Sequence, residues 1–354
     1  MLAGRYELKR RIGRGGMATV FEAHDELLDR AVAVKLLDTR RMQSDLKRFA
    51  AEARAAAALT HPHVVGVYDV GIEAEFPFIV LELIRGTTLQ NALDDGAALS
   101  VRHTVAVGCQ LLAALHQAHG HGLIHRDVKP ANILLPGGVL PSHPSELPGV
   151  KLADFGIAKV LRGPTLGLTT AGQAIGTPRY MSPEQVRGER PTPRSDLYSL
   201  GVVLFEMLAG RPPFEHDNPI AVALAHKDEY PPSLAMLRDD IDHRLVVLVH
   251  RALAKRPDLR PSSARRMRAA LLDVLTVRPD HPTTQPTSTS GGRRQAHYDH
   301  RPAGATSARP LGHSRSAGSK RQSPSTIELG EMRRTIIKIG IVLVTILLLL
   351  RLLT

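Results

Sequence analysis

Apolar and polar residues alternate from Tyr6 to Ile12 and again from Thr19 to Ala23, the period-two pattern of two strands, and the glycine-rich stretch between them predicts a hairpin turn. Ala31-Val32-Ala33-Val34-Lys35-Leu36-Leu37 predicts a third strand whose apolar run is broken by one lysine. Ser44 and Asp45 suit a helix start, Leu46, Phe49, Ala53 and Ala56 recur at helical spacing, and Pro62 lies beyond the end. Phe78 to Ile84 reads as a buried strand, Thr104 to Leu115 as an apolar helix, and Asp196 opens another that runs through Leu208. Pro136 to Gly149 is too long for a usual hairpin turn. Its Pro, Gly and Ser content predicts a surface insertion, after which Val150-Lys151-Leu152-Ala153 restores a strand.

A group of polar residues stands out against this pattern. His125-Arg126-Asp127-Val128-Lys129-Pro130-Ala131-Asn132 is followed downstream by Asp154-Phe155-Gly156. Singly, each has an ordinary reading: Asp127 as a helix cap, Asn132 as a turn residue, His125 as a structural hydrogen-bonder. Each fixed position matches by chance about one time in twenty, so the ordered set is not accidental. The stretch resembles the catalytic loop and metal-binding motif of protein kinases. The resemblance implies that Asp127 accepts the proton of a substrate hydroxyl, that Lys129 sits near the transferring phosphoryl group, and that Asn132 and Asp154 hold magnesium. Such chemistry lowers its barrier by positioning and by neutralising phosphate charge, so carboxylate, amide and ammonium groups must converge on one cleft.

Ile12-Gly13-Arg14-Gly15-Gly16-Met17-Ala18-Thr19-Val20 resembles the kinase glycine-rich loop, whose backbone closes over phosphates; Ala18 stands where the third glycine falls in the family pattern. Lys35 resembles the lysine that reaches the α- and β-phosphates, and Glu52 the glutamate that orients it. The ordinary alternatives are a snorkelling lysine and an exposed helix glutamate. Ala33 in the lysine strand, Leu81 as gatekeeper and the main chains of Glu82 and Ile84 complete the implied ATP site. Gly176-Thr177-Pro178-Arg179-Tyr180-Met181-Ser182-Pro183-Glu184 resembles the end of an activation segment. By the same resemblance Asp196 braces the catalytic loop containing His125 and Arg126, and Glu184 pairs with Arg260. Lys129 together with Thr177 is similar to the serine/threonine class. Thr169 and Thr170, with Thr165 as a third candidate, are the implied autophosphorylation sites, and Arg126 is the implied partner for the phosphate.

The resemblance covers Arg5 to Leu275. At 354 residues and 43 % hydrophobic, the chain can bury a large core and still carry an appendage. Residues 276–332 are rich in Pro, Ser, Thr, Gly, His and Arg, which predicts a flexible, basic linker with no core of its own. Its Arg293, Arg294, Arg301, Arg309, Arg315, Lys320 and Arg321 contribute to a net charge of +12. Only Tyr298 there offers a stacking ring and no nucleic-acid module is evident, so no nucleic-acid partner is expected; a juxtamembrane tether meeting anionic lipid accounts for the charge.

Residues 333–354 predict a single transmembrane helix. From Ile336 to Leu353 the chain is apolar on every face, and at ~1.5 Å per residue it reaches roughly 27 Å once Lys338 and Arg351 snorkel. A hydrophobic helix docked on another protein is the alternative. Arg333, Arg334 and Lys338 on its N-terminal side place the kinase in the cytoplasm and the C-terminus outside the cell membrane. No signal-peptide pattern precedes the first strand, and too little follows the span for a sensor domain. Cys109, the one cysteine, is expected in the core.

The expected architecture is α+β and two-lobed: an antiparallel-sheet N-lobe with one main helix and a mainly helical C-lobe within 1–275, then the linker and the span. The chain is similar to bacterial eukaryotic-like (Hanks-type) serine/threonine protein kinases. That implies ATP with Mg2+ or Mn2+, protein substrates, membrane attachment, and self-association for autophosphorylation in trans. A pseudokinase scaffold and a small-molecule kinase of related fold are the alternatives. Retention of Lys35, Glu52, Asp127, Asn132 and Asp154 weighs against the first, and the activation segment against the second.

Overall fold

The computed structural model describes residues 1–15, 18–37, 46–73, 76–155 and 178–276, with the side chains of the first helix described from Glu52 onward. Gly16, Gly156, Thr165, Thr169, Thr170 and Thr177 lie outside the described residues, as do the expected linker from residue 277 and the expected C-terminal span. Thr276, the first residue assigned to that linker, instead closes the last helix.

Five strands form one antiparallel sheet in the order β1-β2-β3-β5-β4: β1 (Tyr6–Arg14), β2 (Ala18–Asp25), β3 (Arg30–Leu37), β4 (Val67–Glu73) and β5 (Phe76–Glu82). Strand alternation divides β3 between two cores. Val32 and Val34 join Tyr6, Phe78 and Val80 on one face, while Leu37 meets Ile79, Ala53 and Ala56 on the other. Ala53 and Ala56 are three apart on α1 (Leu46–Ala57), the one helix among the described residues of this lobe, so a single small-residue stripe lets that helix lie close on the sheet. Lys35 shares the parity of Leu37 and is thereby on the side of the sheet that carries α1.

Among the described residues, a short sheet of β6 (Gly86–Thr88), β7 (Ile133–Pro136) and β8 (Lys151–Leu152) and eight α-helices make the second lobe: α2 (Leu89–Leu93), α3 (Val101–Gly120), α4 (Pro183–Val186), α5 (Pro193–Ala209), α6 (Pro219–Asp228), α7 (Leu234–Leu237), α8 (His243–Ala252) and α9 (Ala264–Thr276). Helix α5 is buried on every face, the mark of a central helix. Its ends are specified locally. Thr192 and Ser195 form a capping box at the start with Pro193 in the first turn, and Gly210 ends it at φ 73°. A side chain at Gly210 would also bring Cβ to 2.3 Å from the Gly96 carbonyl oxygen, so glycine is required twice over.

The predicted insertion at 136–149 is a built loop rather than a loose one. Glu146 accepts from the Ser142 N–H (2.7 Å), its hydroxyl (3.0 Å) and the His143 N–H (3.2 Å). Gln110 of α3 then binds it to the core, donating to the Glu146 carbonyl (3.0 Å) and accepting from the Val150 N–H (2.9 Å). Asp154 follows β8 by two residues, so this anchoring also places it. Among the described residues no helix is long and apolar enough to cross a membrane.

Candidate active site

The catalytic-loop sequence hangs from α5. Asp196, 1 % exposed, accepts from the His125 N–H (2.9 Å) through Oδ2 and from the Arg126 N–H (2.8 Å) through Oδ1; His119 Nε2, at the end of α3, lies 2.8 Å from Oδ2. His125 is fully buried, and burial holds its imidazole below the ordinary value and hence neutral. Nε2 is 2.9 Å from the Ala153 carbonyl and must donate to it, which leaves Nδ1 to accept the Asp127 N–H at 3.3 Å. With its ring 4.6 Å from Phe155, His125 ties the loop bearing Asp127 to the strand end bearing Asp154.

Asp127, Lys129 and Asn132 converge. Asp127 Oδ2 lies 2.9 Å from Lys129 Nζ and 3.2 Å from Asn132 Nδ2, which also donates to the Asp127 carbonyl at 2.9 Å. The amide nitrogen of Asn132 is thus spoken for. Its oxygen is the atom left to serve a cation. Facing them, Lys35 Nζ bonds Asp154 Oδ1 at 2.6 Å. Burial pushes the Asp154 carboxyl up, but the charge and hydrogen bond of Lys35 outweigh it and hold Asp154 below the ordinary carboxylate range.

The expected Lys35–Glu52 pair is not made. Lys35 takes Asp154, while Glu52 Oε1 lies 3.7 Å from Arg126 Nη1. Both choices follow from where the loops deliver charge. Arg126 and Asp154 have left-handed backbones, φ 65° and 62°, which turn the two motifs toward the cleft and offer each N-lobe residue a nearer partner of opposite sign.

The glycine-rich stretch forms a tight β1–β2 connection. Gly13 pairs with Val20, Arg14 with Thr19, and the Gly15 N–H donates to the Ala18 carbonyl at 2.9 Å, with Ile12 partly exposed just before. Ala33 pairs with Leu81 across β3 and β5. The predicted strand ending at Ile84 stops at Glu82, so Ile84 lies in the connection between lobes. The Glu82 N–H already donates to the Gly66 carbonyl at 2.8 Å, so a base edge can use only the Glu82 carbonyl and the Ile84 main chain. A further link was not legible in the sequence. Glu82 Oε2 accepts from Lys151 Nζ (2.9 Å) and the Gly66 N–H (3.1 Å), joining the interlobe connection to β8.

Beyond the activation segment, Arg260 grips Glu184 with Nη1 to Oε1 at 2.7 Å and Nη2 to Oε2 at 2.8 Å, both side chains buried. Ser195 donates to the same Oε1 at 2.6 Å. Next to Glu184, Gln185 Nε2 donates to the Arg126 carbonyl at 3.0 Å, so α4 abuts the catalytic loop directly. Sequence reasoning found Glu184, Arg260 and Asp196 through their motifs. It missed His119, Gln185 and Ser195, for which only tertiary contact supplies a signal.

This arrangement of lobes and polar residues is that of a protein kinase, and comparison with known proteins agrees. The protein kinase domain family model matches residues 6–272, and the chain belongs to that family, in its bacterial Hanks-type serine/threonine form. A probable serine/threonine-protein kinase of Streptomyces coelicolor is 40 % identical over 310 residues, covering 86 % of this chain and 45 % of its own. The serine/threonine-protein kinase PknB of Mycolicibacterium smegmatis is 44 % identical over 280 residues, covering 77 % and 43 %. This chain therefore spans less than half the length of these curated relatives. The crystal structure of the Mycobacterium tuberculosis PknI kinase domain superposes with a TM-score of 0.60 at 28 % identity, over 76 % of this chain and 95 % of that one.

The Glu184–Arg260 pair sets a pH-dependent share of stability. Burial pushes the Glu184 carboxyl up, but the hydrogen bonds and charge of Arg260, together with Ser195, hold it below the ordinary 4.5. A carboxyl depressed in the folded state contributes stability that is full above the unfolded value and is lost as pH falls through the folded one. Glu184→Gln is expected to cost about 3–5 kcal/mol at neutral pH. The gap to the parent should close as pH falls below 4.5. Urea titrations at stepped pH check this; a gap that does not change with pH would assign the loss to packing alone.

Proposed function

We propose that this chain transfers the γ-phosphoryl group of ATP to serine or threonine hydroxyls of proteins, and that it does so as a membrane-anchored kinase switched on by its own phosphorylation. The observation that carries the chemistry is the convergence of Asp127, Lys129 and Asn132 opposite the Lys35–Asp154 pair. A magnesium or manganese ion bound with ATP would draw off phosphate charge. The residues fit such an ion: Asn132 offers an amide oxygen and Asp154 a carboxylate, the hard donors it favours. Lys129 and Asn132 hold the Asp127 carboxylate in place to take the acceptor's proton, while the acceptor oxygen bonds to the γ-phosphorus and the bond to the β–γ bridging oxygen breaks. Lys35 supplies a cation for phosphate oxygens. Asp127→Asn is expected to lower transfer to a generic protein acceptor by ~10²–10⁴-fold with the fold intact. Near-normal turnover would favour the scaffold reading.

Activation follows from the same charges. Phosphate on Thr169 or Thr170 is a stronger partner for the Arg126 guanidinium than Glu52, which lies 3.7 Å from it. Such a phosphate would compete with Glu52 for Arg126 and so alter the charge on the α1 side of the cleft, where Lys35 also lies. Crowding of copies in a membrane favours phosphorylation in trans. Mass spectrometry of active protein should find phosphate at Thr169 or Thr170, and the Thr169→Ala/Thr170→Ala double variant should lose most activity. Full activity in that variant sinks the mechanism.

The membrane reading rests on the apolar run from Ile336 to Leu353 with Arg333, Arg334 and Lys338 before it. Deleting Ile336 to Thr354 should move the protein from the membrane pellet to the supernatant without changing its activity toward a soluble acceptor. Extraction of the intact chain by high salt alone would mean that the basic 276–332 segment is the anchor.

A further inference from the structure

Helix α6 carries none of the motif residues, yet its last turn reaches the segment beside the catalytic loop. His226 is fully buried, with Nε2 2.7 Å from the Arg179 carbonyl oxygen and Nδ1 2.9 Å from the Tyr198 hydroxyl. A carbonyl can only accept, so Nε2 carries the ring proton and donates it, and Nδ1 accepts from Tyr198. Burial pushes the imidazole down to about 3, which keeps the ring neutral and in that one tautomer. Its seat is held from behind. The Phe214 ring meets it edge-on at 4.9 Å, and Lys255 Nζ, 4.5 Å above Phe214, donates to the Ala225 (3.0 Å) and His226 (2.8 Å) carbonyls at the end of α6.

Arg179 is the middle of the Pro178–Tyr180 turn. The neighbouring Tyr180 is pinned to α5, its carbonyl accepting from Ser199 Oγ (2.8 Å) and its hydroxyl donating to Glu206 Oε2 (2.7 Å). A few residues on, Gln185 is bonded to the Arg126 carbonyl, beside Asp127. The segment that begins with this turn is thus bonded to the catalytic loop through Gln185, five residues past Tyr180.

We propose that His226 is a positioning residue for the protein acceptor: by holding the Arg179 carbonyl it fixes the turn along which the acceptor lies, and so governs acceptor binding while leaving ATP handling untouched. The inference rests on the protein phosphorylation proposed above. The ordinary alternative is a satisfied core histidine that only stabilises the lobe.

Two amides of different reach separate these readings. His226→Gln places an amide nitrogen where Nε2 stood, whereas the shorter amide of His226→Asn reaches only the place of Nδ1. The measurements are KM and kcat for a threonine-bearing protein acceptor, KM for ATP, the rate of ATP hydrolysis without acceptor, and Tm. The Gln variant is expected to stay within about twofold of the parent throughout, and the Asn variant to raise the acceptor KM about five- to tenfold with both ATP parameters within about twofold. Equal acceptor KM in the two variants overturns the proposal, as does a parallel fall of transfer and acceptor-free hydrolysis. Should the Asn variant not fold, Tyr198→Phe removes the other anchor of the ring; an unchanged acceptor KM there overturns it too. A parent chain that hydrolyses ATP but labels no protein overturns the underlying function instead.

Discussion

One buried carboxylate sets the geometry of the cleft. Asp196 takes two successive main-chain N–H groups, those of His125 and Arg126, and fastens them to the most enclosed helix of the molecule. The constraint has a cost to offset. Arg126 and Asp154 are not glycines, yet both adopt a left-handed backbone, which costs of order 1–3 kcal/mol each. Charge-assisted hydrogen bonds to Asp196 hold the first in place. The Lys35 ammonium and the His125 bond to Ala153 hold the second. Without Asp196 the loop could relax, and Asp127 would lose its fixed relation to Asn132.

The ion pairs fall into two physical kinds. Arg260–Glu184 is fully buried and bidentate, and breaking it strands a charge without water. Glu52–Arg126 is partly exposed at both ends and long at 3.7 Å, so it contributes little, on the order of 0–1 kcal/mol. The long, partly exposed pair lines the cleft, and the buried pair holds the segment beside it.

The sequence made legible whatever local pattern determines. Strand β3 shows as an apolar run with one lysine, and its parity already assigns Lys35 to the α1 side. Helix α5 shows its apolar length, although its Thr192 cap starts it at Pro193 rather than at the expected Asp196. Partner choice was not legible, because it depends on which loop arrives nearest: Lys35 meets Asp154 rather than Glu52, since two left-handed residues redirect the loops. Nor was Gln110, an amide in an apolar helix whose purpose is visible only once the 136–149 loop folds back onto it. His226 is the clearest case. Nothing around it in the chain marks it, and its role comes from a carbonyl 47 positions away.

Helix α5 unites these observations, because successive turns of it hold successive parts of the site. Asp196 carries the catalytic loop, Ser195 touches the Glu184 anchor, Tyr198 meets His226 behind Arg179, and Ser199 and Glu206 secure Tyr180. A rigid rod that is buried all round cannot move one of these without moving the others. The catalytic-loop residues and the 178–185 segment are therefore kept in mutual register by a single element. The contacts contributed by the other lobe, Lys35 to Asp154 at 2.6 Å and Glu52 to Arg126 at 3.7 Å, lie apart from that register. The activation proposed above would therefore act on contacts that α5 does not hold.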